Sequence, residues 1–444
     1  MWTSSRVADV LAVSEPGRAV YPGISTDTRR LQTGELFVAL EGERFDAHDF
    51  LADAKVKGAA AAVVRRGTPA LDGLPYFEVE DTLVALGALA RARRRLLAPG
   101  NPVVAVTGSS GKTSTKEMIR AALATQYRVH ATTGNLNNLV GVPLTLLAAP
   151  EDVEALVVEA GASVPGEIAR LRDILEPTVA VVTNVGYAHV AGFGSLAAVL
   201  REKVALLERA PVAVVGTDPP ELALEARRRT RTVVAGTDAA ADVRPDAADL
   251  DDAGHPRITW GGRSVTVPVI GFHQIENAMI ALAAAREAGA DPGRAVGGLA
   301  TVRLPAGRGA VLELGGLTII DDTYNANPGS LHWAVRFAHW LARRRGRPLA
   351  VVVGSMLELG SESARLHAAA AREIVALEPA LVAAVGEFVP AFEAHRHALA
   401  GRLIAAPDAE SLGPQLKAAV RGDEIVLLKA SRGVALERVL RHLN

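Results

Sequence analysis

The chain has 444 residues, a formal net charge of −1 and no cysteine. This length suggests two to four domains, and the near-neutral charge argues against a dedicated nucleic-acid binder, which would carry a clear basic excess. The lack of cysteine excludes disulfide frameworks, cysteine-ligated zinc and thiol catalysis. Only seven of the 48 basic residues are lysine, so each lysine is an uncommon choice in this chain.

Short apolar runs rich in β-branched residues predict strands along the whole chain. In chain order they cover residues 35–40, 59–64, 102–106, 153–158, 178–183, 211–215, 317–320, 349–353, 381–385 and 424–428. Helical spacing follows most of these runs, for example at residues 113–125. The regular alternation predicts an α/β fold with parallel sheets and crossover helices, and the last part reads as a second, smaller Rossmann-like unit.

Two segments rich in proline and glycine interrupt this alternation, at residues 98–102 and 304–309. Such segments are typical of domain boundaries. We therefore predict three domains: a mixed α/β domain at 1–98, a central parallel-sheet domain at 99–305 and a Rossmann-like domain at 306–444.

The N-terminal sequence has no basic segment followed by an apolar one, which is the pattern of a signal peptide. No apolar run approaches the ~20 residues that a membrane-spanning helix needs. We therefore expect a cytoplasmic protein without a membrane span.

A phosphate-binding loop is predicted where TGSSGKTS follows a strand and opens a helix at residues 107–114. Glycines let backbone N–H groups approach phosphates, and the helix N-terminus adds partial positive charge. Lys112 would reach the β- and γ-phosphates of ATP, and the Thr113 hydroxyl would bind Mg²⁺. The full P-loop pattern would have glycine where Val106 stands. The predicted nucleotide contacts are Gly108, Ser109, Ser110, Gly111, Lys112, Thr113 and Ser114.

Polar side chains also follow two other predicted strands of the central domain. Glu159 ends one strand, Asn184 ends the next, and His189 lies in the loop that follows. Ligands of open α/β sheets bind beyond the carboxyl ends of the strands, so Glu159 and His189 are candidate Mg²⁺ ligands. The alternatives are a solvated strand end for Glu159 and a hydrogen-bonded surface group for His189. From spacing alone, Lys203 reads as a solvated helix residue.

Several motifs together resemble the Mur ligases, the ATP-dependent amide ligases of peptidoglycan precursor synthesis. The central ones are TGSSGKTST at 107–115 and TGNLNNLVGVPLTLL at 133–147. DDTYNANP at 321–328 resembles the family member that adds D-alanyl-D-alanine. Further matching segments lie at residues 27–29, 34–40, 48–50, 355–360 and 429–432. The resemblance therefore extends along essentially the whole chain.

The resemblance implies three domains: one that binds the UDP-linked substrate, an ATPase domain and a C-terminal Rossmann-like domain. The family cleaves ATP to ADP and phosphate, and the carboxylate of its substrate becomes an acyl phosphate. The amine of D-alanyl-D-alanine then attacks that carbonyl, which gives a pentapeptide from UDP-N-acetylmuramoyl-tripeptide. The expected partners are small molecules only, with no nucleic acid, and we expect a monomer that closes around its substrates by hinge motion.

The resemblance also assigns roles to individual residues. Lys112, His189 and Lys203 would be catalytic, and Lys203 would be carbamylated so that its carbamate helps to hold a second Mg²⁺. The implied metal ligands are Thr113, Glu159, His189 and the modified Lys203. The implied ATP contacts outside the loop are Asn277, Arg308 and Asp322. The implied substrate contacts are Asp27 and Arg29 on the UDP side, Asn135, and Asn325 and Asn327 on the dipeptide side.

Three other interpretations were weighed against this one. A Mur ligase that adds a diamino acid should have an Asp-Tyr-Ala-His-type run in place of DDTYNANP. Folylpolyglutamate synthases share the core more distantly, and the N-terminal UDP-like domain argues against them. A non-catalytic nucleotide-binding module predicts the loss of one or more of Lys112, Thr113, Glu159 and His189, and all four are present.

The sequence departs from the family pattern near the expected metal site, where Ser163-Val164 replaces the Asn-His common in the family.

Overall fold

The computed structural model describes residues 1–42 and 45–443 and divides into two compact units. The first unit comprises Met1–Ala105, Arg128–Gly161 and Glu167–Pro177, and the second comprises Val106–Tyr127, Ala162–Gly166 and the described residues from Thr178 onward. Among the described residues, no helix is long and apolar enough to cross a membrane. The predicted boundaries 1–98, 99–305 and 306–444 stay predictions.

The N-terminal part of the first unit contains a four-stranded parallel sheet. Its elements are β1 (Trp2–Thr3), α1 (Ser4–Leu11), β2 (Val20–Tyr21), β3 (Ile24–Ser25), β4 (Leu36–Val38), β5 (Glu41–Gly42), β6 (Phe45–Asp46), α2 (Leu51–Val56), β7 (Ala61–Arg65), β8 (Tyr76–Val79) and α3 (Thr82–Arg94). The strand order is β3-β4-β7-β8. Helix α3 begins where the Asp81 carboxylate accepts hydrogen bonds from the N–H groups of Leu83 and Val84, and it buries Leu86 and Leu89 in the core.

The middle of the chain alternates strands and helices. The elements are β9 (Val103–Thr107), α4 (Lys112–Leu123), β10 (Val129–Ala131), α5 (Gly141–Leu147), β11 (Ala155–Glu159), α6 (Glu167–Leu175), β12 (Val179–Val182), α7 (Val190–Phe193), α8 (Leu196–Val204), β13 (Val212–Val215), α9 (Pro220–Arg227), β14 (Arg231–Val234), β15 (Ala247–Leu250), β16 (Pro256–Trp260), β17 (Arg263–Thr266), α10 (His273–Glu287) and α11 (Pro292–Gly298). In the first unit β10 and β11 pair in parallel. In the second unit β12, β13 and β14 form a parallel row. These strands confirm the predicted α/β alternation.

Strand β9 positions the phosphate loop because it is buried along its whole length. Near its start, the Leu156 N–H donates to the Pro102 carbonyl in the first unit, over 2.9 Å. At its end, the Thr183 N–H donates to the Thr107 carbonyl in the second unit, also over 2.9 Å. Strands that are covered on both faces read as continuous apolar runs, which is why VVAV at 103–106 was recognisable from the sequence.

The C-terminal part of the second unit contains a six-stranded sheet with the order β18-β19-β23-β20-β21-β22. Its elements are β18 (Ala310–Leu314), β19 (Leu317–Asp321), α12 (Pro328–Arg345), β20 (Leu349–Val353), α13 (Ser363–Ala376), β21 (Leu381–Val385), α14 (Phe388–Glu393), α15 (Arg396–Leu399), β22 (Leu403–Ala406), α16 (Ala409–Ala419), β23 (Ile425–Lys429) and α17 (Leu440–Leu443). Only β18 runs antiparallel to its neighbour. Separate apolar clusters cover the two faces, which confirms the Rossmann-like prediction.

The antiparallel sheet β15-β16-β17 was not predicted from the sequence. Its strands have four or five residues each, and most of their side chains are exposed or half-buried. Strands with so little burial carry no strong hydrophobic pattern. The sequence signal was therefore missing at this sheet, whereas it was strong in the buried parallel strands.

Candidate functional site

The phosphate loop joins β9 to α4 and depends on two glycines. A Cβ atom on Gly108 would lie 1.9 Å from the hydroxyl oxygen of Thr183, and one on Gly111 would lie 2.5 Å from Oδ1 of Asn277. Gly111 also has a φ of 76°, in the left-handed region. Val106 is a buried strand residue, so the loop begins later than in the full P-loop pattern.

The segment after β12 fixes the path of this loop through hydrogen bonds. The Ser109 N–H donates to the Asn184 carbonyl over 3.0 Å, and the Ser110 N–H donates to Asn184 Oδ1 over 2.9 Å. The Thr183 hydroxyl donates to the Ser110 carbonyl over 2.6 Å. The Ser109 hydroxyl donates to the Gly186 carbonyl over 3.0 Å. The end of one parallel strand therefore holds the loop that follows another.

The two loop residues with predicted chemistry lie at the start of α4. The Lys112 ammonium donates to the Gly108 carbonyl over 2.8 Å, so its side chain folds back over the loop. Thr113 is 2 % exposed and Ser114 is also buried. A cation folded over a glycine-rich loop at a helix N-terminus is an arrangement suited to bind phosphate groups.

Asn277 lies beneath the loop and is buried. Its Oδ1 accepts a hydrogen bond from the Thr115 hydroxyl over 3.2 Å, and its Nδ2 donates to Gln274 Oε1 over 3.0 Å. The structure therefore brings the predicted adenine contact into the neighbourhood of the phosphate loop, where it packs beside Gly111.

His189 contacts a carboxylate that the sequence did not indicate. Its Nδ1 lies 2.5 Å from Oε2 of Glu358, and this interaction holds the pKa of Glu358 below its usual value. Both residues have positive φ angles, 56° and 64°, which is uncommon and costly for residues other than glycine. The Ala191 N–H donates to the Glu358 carbonyl over 3.0 Å. The Nδ1 side of the imidazole therefore faces a carboxylate at ion-pair distance, although this nitrogen has no hydrogen-bond partner of good geometry among the described residues.

Lys203 is buried, with an exposed fraction of 1 %. Its ammonium lies 5.7 Å from the ring centroid of Phe193. The spacing-based interpretation of Lys203 as a solvated helix residue is therefore wrong. Lysine is rarely buried in this way without a specific role or partner.

In the C-terminal part of the second unit, Asp322 pairs with a buried lysine. The Lys429 ammonium lies 2.5 Å from Oδ2 of Asp322 and also donates to the Asn325 carbonyl over 2.9 Å. Burial raises the pKa of Asp322, although Lys429 opposes that effect. Lys429 therefore links two positions within the motif that begins at Asp321, the Asp322 carboxylate and the Asn325 carbonyl.

Arg308 stacks on an aromatic ring of the same motif. Its guanidinium carbon lies 3.8 Å from the ring centroid of Tyr324, and the Tyr324 N–H donates to the Gly307 carbonyl over 3.0 Å. The Arg308 Nε is buried and has no hydrogen-bond partner within the described part of the chain. A buried N–H group without a partner carries a desolvation cost that an anionic ligand could offset.

The two asparagines of this motif have different surroundings. Asn325 is exposed, and its Oδ1 accepts only a local hydrogen bond from the Ala326 N–H, among the contacts that the structure describes. Asn327 is half-buried, and its Nδ2 lies 3.1 Å from the hydroxyl oxygen of Ser110 in the phosphate loop. Only Asn325 has the open side chain expected of a substrate contact.

In the first unit, Glu159 is buried at the end of β11 and accepts a hydrogen bond from Asn137 Nδ2 over 2.8 Å. The Gly161 N–H donates to the Asn137 carbonyl over 2.7 Å. Asn135, the residue predicted to contact substrate, lies two positions before Asn137 and is exposed. Nothing in the sequence distinguishes Asn137 from its neighbours, although it belongs to the same TGNLNN run at residues 133–138.

Asp27 and Arg29, the predicted UDP-side contacts, pair with each other on the surface of the first unit. The Arg29 guanidinium lies 2.8 Å from the Asp27 carboxylate, and this contact lowers the pKa of Asp27 to about 2. The Arg29 side chain is 85 % exposed. Arg29 is therefore open to an anionic ligand.

The proposed metal donors fit Mg²⁺ by their chemistry. Within residues 1–42 and 45–443, no three His, Asp or Glu side chains form a cluster that could hold a metal. The proposed set instead combines the Thr113 hydroxyl, the Glu159 carboxylate, the His189 imidazole and Lys203, which would offer oxygen atoms once carbamylated. Mg²⁺ prefers oxygen ligands, and an imidazole whose other nitrogen faces a carboxylate is the usual form of a ligating histidine.

Comparisons with known proteins place the chain in a family. Residues 106–285 match the Mur ligase middle domain, and residues 307–432 match the Mur ligase glutamate ligase domain. UDP-N-acetylmuramoyl-tripeptide–D-alanyl-D-alanine ligase from Bacillus subtilis is 35 % identical over 98 % of this chain and 96 % of its own length.

Solved structures agree with these matches. A crystal structure of MurF from Acinetobacter baumannii has a TM-score of 0.88 and 31 % identity, over 100 % of this chain and 98 % of that chain. MurF from Thermotoga maritima in complex with ADP has a TM-score of 0.81 and 31 % identity, over 95 % of this chain and 96 % of that one. The two alternative enzyme classes are also represented among the solved structures, by a diaminopimelate-adding ligase at 18 % identity and a folylpolyglutamate synthase at 16 %. At such low identity, these two structures indicate a similar fold and nothing more. The chain therefore belongs to the Mur ligase family, in the group of the UDP-N-acetylmuramoyl-tripeptide–D-alanyl-D-alanine ligases.

Proposed function

We propose that the chain is an ATP-dependent amide ligase that joins D-alanyl-D-alanine to UDP-N-acetylmuramoyl-tripeptide. The products would be UDP-N-acetylmuramoyl-pentapeptide, ADP and phosphate. The observation that carries this proposal is full-length similarity to ligases named for this reaction, in a chain whose phosphate loop retains Lys112 folded over its glycines.

In the first step, the terminal carboxylate of the tripeptide attacks the γ-phosphorus of ATP, and the bond from that phosphorus to ADP breaks. Catalysis of such a step rests on positioning and on neutralising the phosphate charge. The loop N–H groups and the Lys112 ammonium would position the β- and γ-phosphates and neutralise their charge. The half-buried Arg308, whose buried Nε has no partner in the described residues, is suited to contact the same anion, beside Asp322.

In the second step, the dipeptide amine attacks the carbonyl carbon of the acyl phosphate. The tetrahedral intermediate loses phosphate, and the amine loses a proton as the amide forms. Asn325 is the exposed side chain of the motif and is our candidate for a dipeptide contact. Exclusion of water from the acyl phosphate by domain closure would protect this intermediate from hydrolysis.

The residues that would hold Mg²⁺ are Thr113, Glu159, His189 and a carbamylated Lys203. When bound, Mg²⁺ would offset negative charge on the transferring phosphoryl group. The burial of Lys203 supports its proposed modification, because burial penalises a charged ammonium and a carbamate forms from the neutral amine. Glu358 would keep the His189 ring in the orientation that presents its Nε2.

The remaining assignments are also proposals. We propose that Asn277 borders the adenine, and that Asp27, Arg29 and Asn135 contact the UDP-linked substrate. Their support is the exposure of Arg29 and Asn135 and the position of Asn277 next to the phosphate loop. We also propose that the protein acts as a cytoplasmic monomer, as expected from the sequence.

The test is a product assay with UDP-N-acetylmuramoyl-tripeptide, D-alanyl-D-alanine, ATP and Mg²⁺, read by mass spectrometry. We expect the pentapeptide nucleotide together with equimolar ADP. A control without dipeptide should yield no pentapeptide. If ADP release is supported only by a free amino acid and no pentapeptide forms, the proposed function is wrong.

A further inference from the structure

Asn327 makes direct hydrogen bonds to the phosphate loop, although the two are 217 residues apart in the sequence. Its Nδ2 lies 3.1 Å from the Ser110 hydroxyl oxygen and 3.4 Å from the Ser109 carbonyl oxygen. The Ser110 hydroxyl can also donate to Asn327 Oδ1, over 3.3 Å. Both polar atoms of the Asn327 amide therefore face the loop that would bind ATP.

The position of Asn327 is fixed from its own side of this contact. Its Oδ1 accepts a hydrogen bond from the Ser330 N–H over 2.9 Å, and its own N–H donates to the Ser330 hydroxyl over 3.0 Å. These two bonds form a capping box at the start of the 18-residue helix α12, with Pro328 as the next residue. The amide therefore cannot swing freely toward another ligand.

The partner residue is fixed equally well on the other side. The Ser110 N–H and carbonyl are both bonded to the segment after β12, through Asn184 and Thr183. The Ser110 hydroxyl points to Asn327. Ser110 thus connects the end of one strand to the N-terminus of α12, and it lies directly before Gly111 and Lys112.

We propose that Asn327 is a positioning residue, which acts through Ser110 to hold the phosphate loop in the shape that binds nucleotide. This inference rests on the proposed function, and it gives Asn327 a different role from the dipeptide contact that the sequence resemblance implies. Asn325 then remains the asparagine of the motif that faces solvent. The motif from Asp321 to Asn327 would therefore serve two substrates, the dipeptide through Asn325 and ATP through Asn327.

A double-mutant cycle tests the proposal with the full-length protein. The variants are Asn327→Ser, Ser110→Ala and the double variant, and the readout is the Kd of a non-hydrolysable ATP analogue with Mg²⁺, without dipeptide. Serine keeps the helix cap but is too short to reach Ser110. We expect each single variant to weaken binding by about 3- to 10-fold, the typical loss for one hydrogen bond. The double variant should be no weaker than the weaker single variant.

Asn325→Ala is the matched control, because it removes the same amide two residues away from the contact. We expect it to leave the analogue Kd unchanged and to raise the KM for D-alanyl-D-alanine. If Asn327→Ser leaves the analogue Kd unchanged and raises only the dipeptide KM, Asn327 is a substrate contact and the proposal fails. Additive effects of the two single variants would also overturn it.

The cycle separates this proposal from the proposed function. A wild-type protein that binds the analogue but yields no pentapeptide would contradict the function and leave the coupling between Asn327 and Ser110 measurable. If Asn327→Ser does not fold, Asn327→Thr replaces it in the cycle, because threonine also caps a helix and lacks the amide that reaches Ser110. An unchanged analogue Kd for Ser110→Ala would then contradict the proposal.

Discussion

The phosphate loop and the segment Asp321–Asn327 contribute to the same candidate site but are held in place by different kinds of interaction. The loop is shaped by close backbone packing at Gly108 and Gly111 and by hydrogen bonds to the end of β12. The segment is held by side-chain pairs, in which Lys429 binds Asp322 and Arg308 stacks on Tyr324.

This difference predicts how each region responds to substitution. In the loop, shortening Lys112 removes its hydrogen bond to the Gly108 carbonyl but leaves the bonds to the end of β12 in place, so the loss should appear mainly in chemistry. In the segment, removing one partner leaves the other buried without compensation, so the loss should include stability. Three predictions test this contrast, from the largest expected effect to the smallest.

Lys112→Ala should lower kcat by at least about 100-fold, since charge stabilisation by a single group is commonly worth that much. The free energy of unfolding should fall by no more than about 1 kcal/mol, the typical contribution of one hydrogen bond such as that from Lys112 to the Gly108 carbonyl. Turnover is measured by release of ADP, and binding of the UDP-linked substrate by calorimetry. The control is Lys417→Ala, at an exposed position on α16, which should leave turnover unchanged. Equal loss of turnover and of UDP-substrate binding would contradict separate sites.

Lys429→Met should destabilise the protein by about 2 kcal/mol, because it leaves the half-buried Asp322 carboxylate without its closest counter-charge. The loss is measured by urea unfolding. The double variant Lys429→Met/Asp322→Asn should recover much of it, since no uncompensated charge remains. A double variant as unstable as the single one would mean that packing by the lysine stem, not charge, is what matters.

The same variant should depend on pH in a defined direction. Burial raises the pKa of Asp322, and without Lys429 only the weaker attraction of Arg308 opposes the increase. A carboxyl whose pKa is higher in the folded state takes up a proton on folding, so lowering the pH stabilises the folded form. The deficit of Lys429→Met relative to wild type should therefore shrink as the pH falls. A deficit that grows on acidification would contradict this account.

The sequence predicted best those features that are written in consecutive residues. Strands β20 and β21 have the predicted bounds because five apolar residues in a row leave little choice in a buried parallel sheet. The phosphate loop followed from its glycines and Lys112. Strands with exposed side chains, such as β15 and β17, were missed because no hydrophobic pattern identifies them.

Partner choice within the site could not be read from the sequence. Asn137 rather than Asn135 bonds Glu159, and Glu358 faces His189, because tertiary packing decides which of several similar side chains meet. Lys203 is a further example, since helical spacing alone predicts a solvent-exposed side chain, whereas the structure buries it. The residue types of a motif were therefore predictable, whereas the contacts among them required the fold.

Tyr324→Leu should have the smallest of the three effects, because it removes one stacking contact and leaves Arg308 in place. Cation–π contacts contribute about 0.5–2 kcal/mol, which corresponds to a rise of about 2- to 30-fold in the Kd of an ATP analogue. Tyr324→Phe is the matched control and should bind like wild type, because the ring remains under the guanidinium. If Tyr324→Phe binds the ATP analogue as weakly as Tyr324→Leu, the tyrosine hydroxyl rather than the stacking contact positions Arg308. If Leu binds like wild type, the segment does not depend on this side-chain pair, and the contrast with the phosphate loop rests on Lys429 alone.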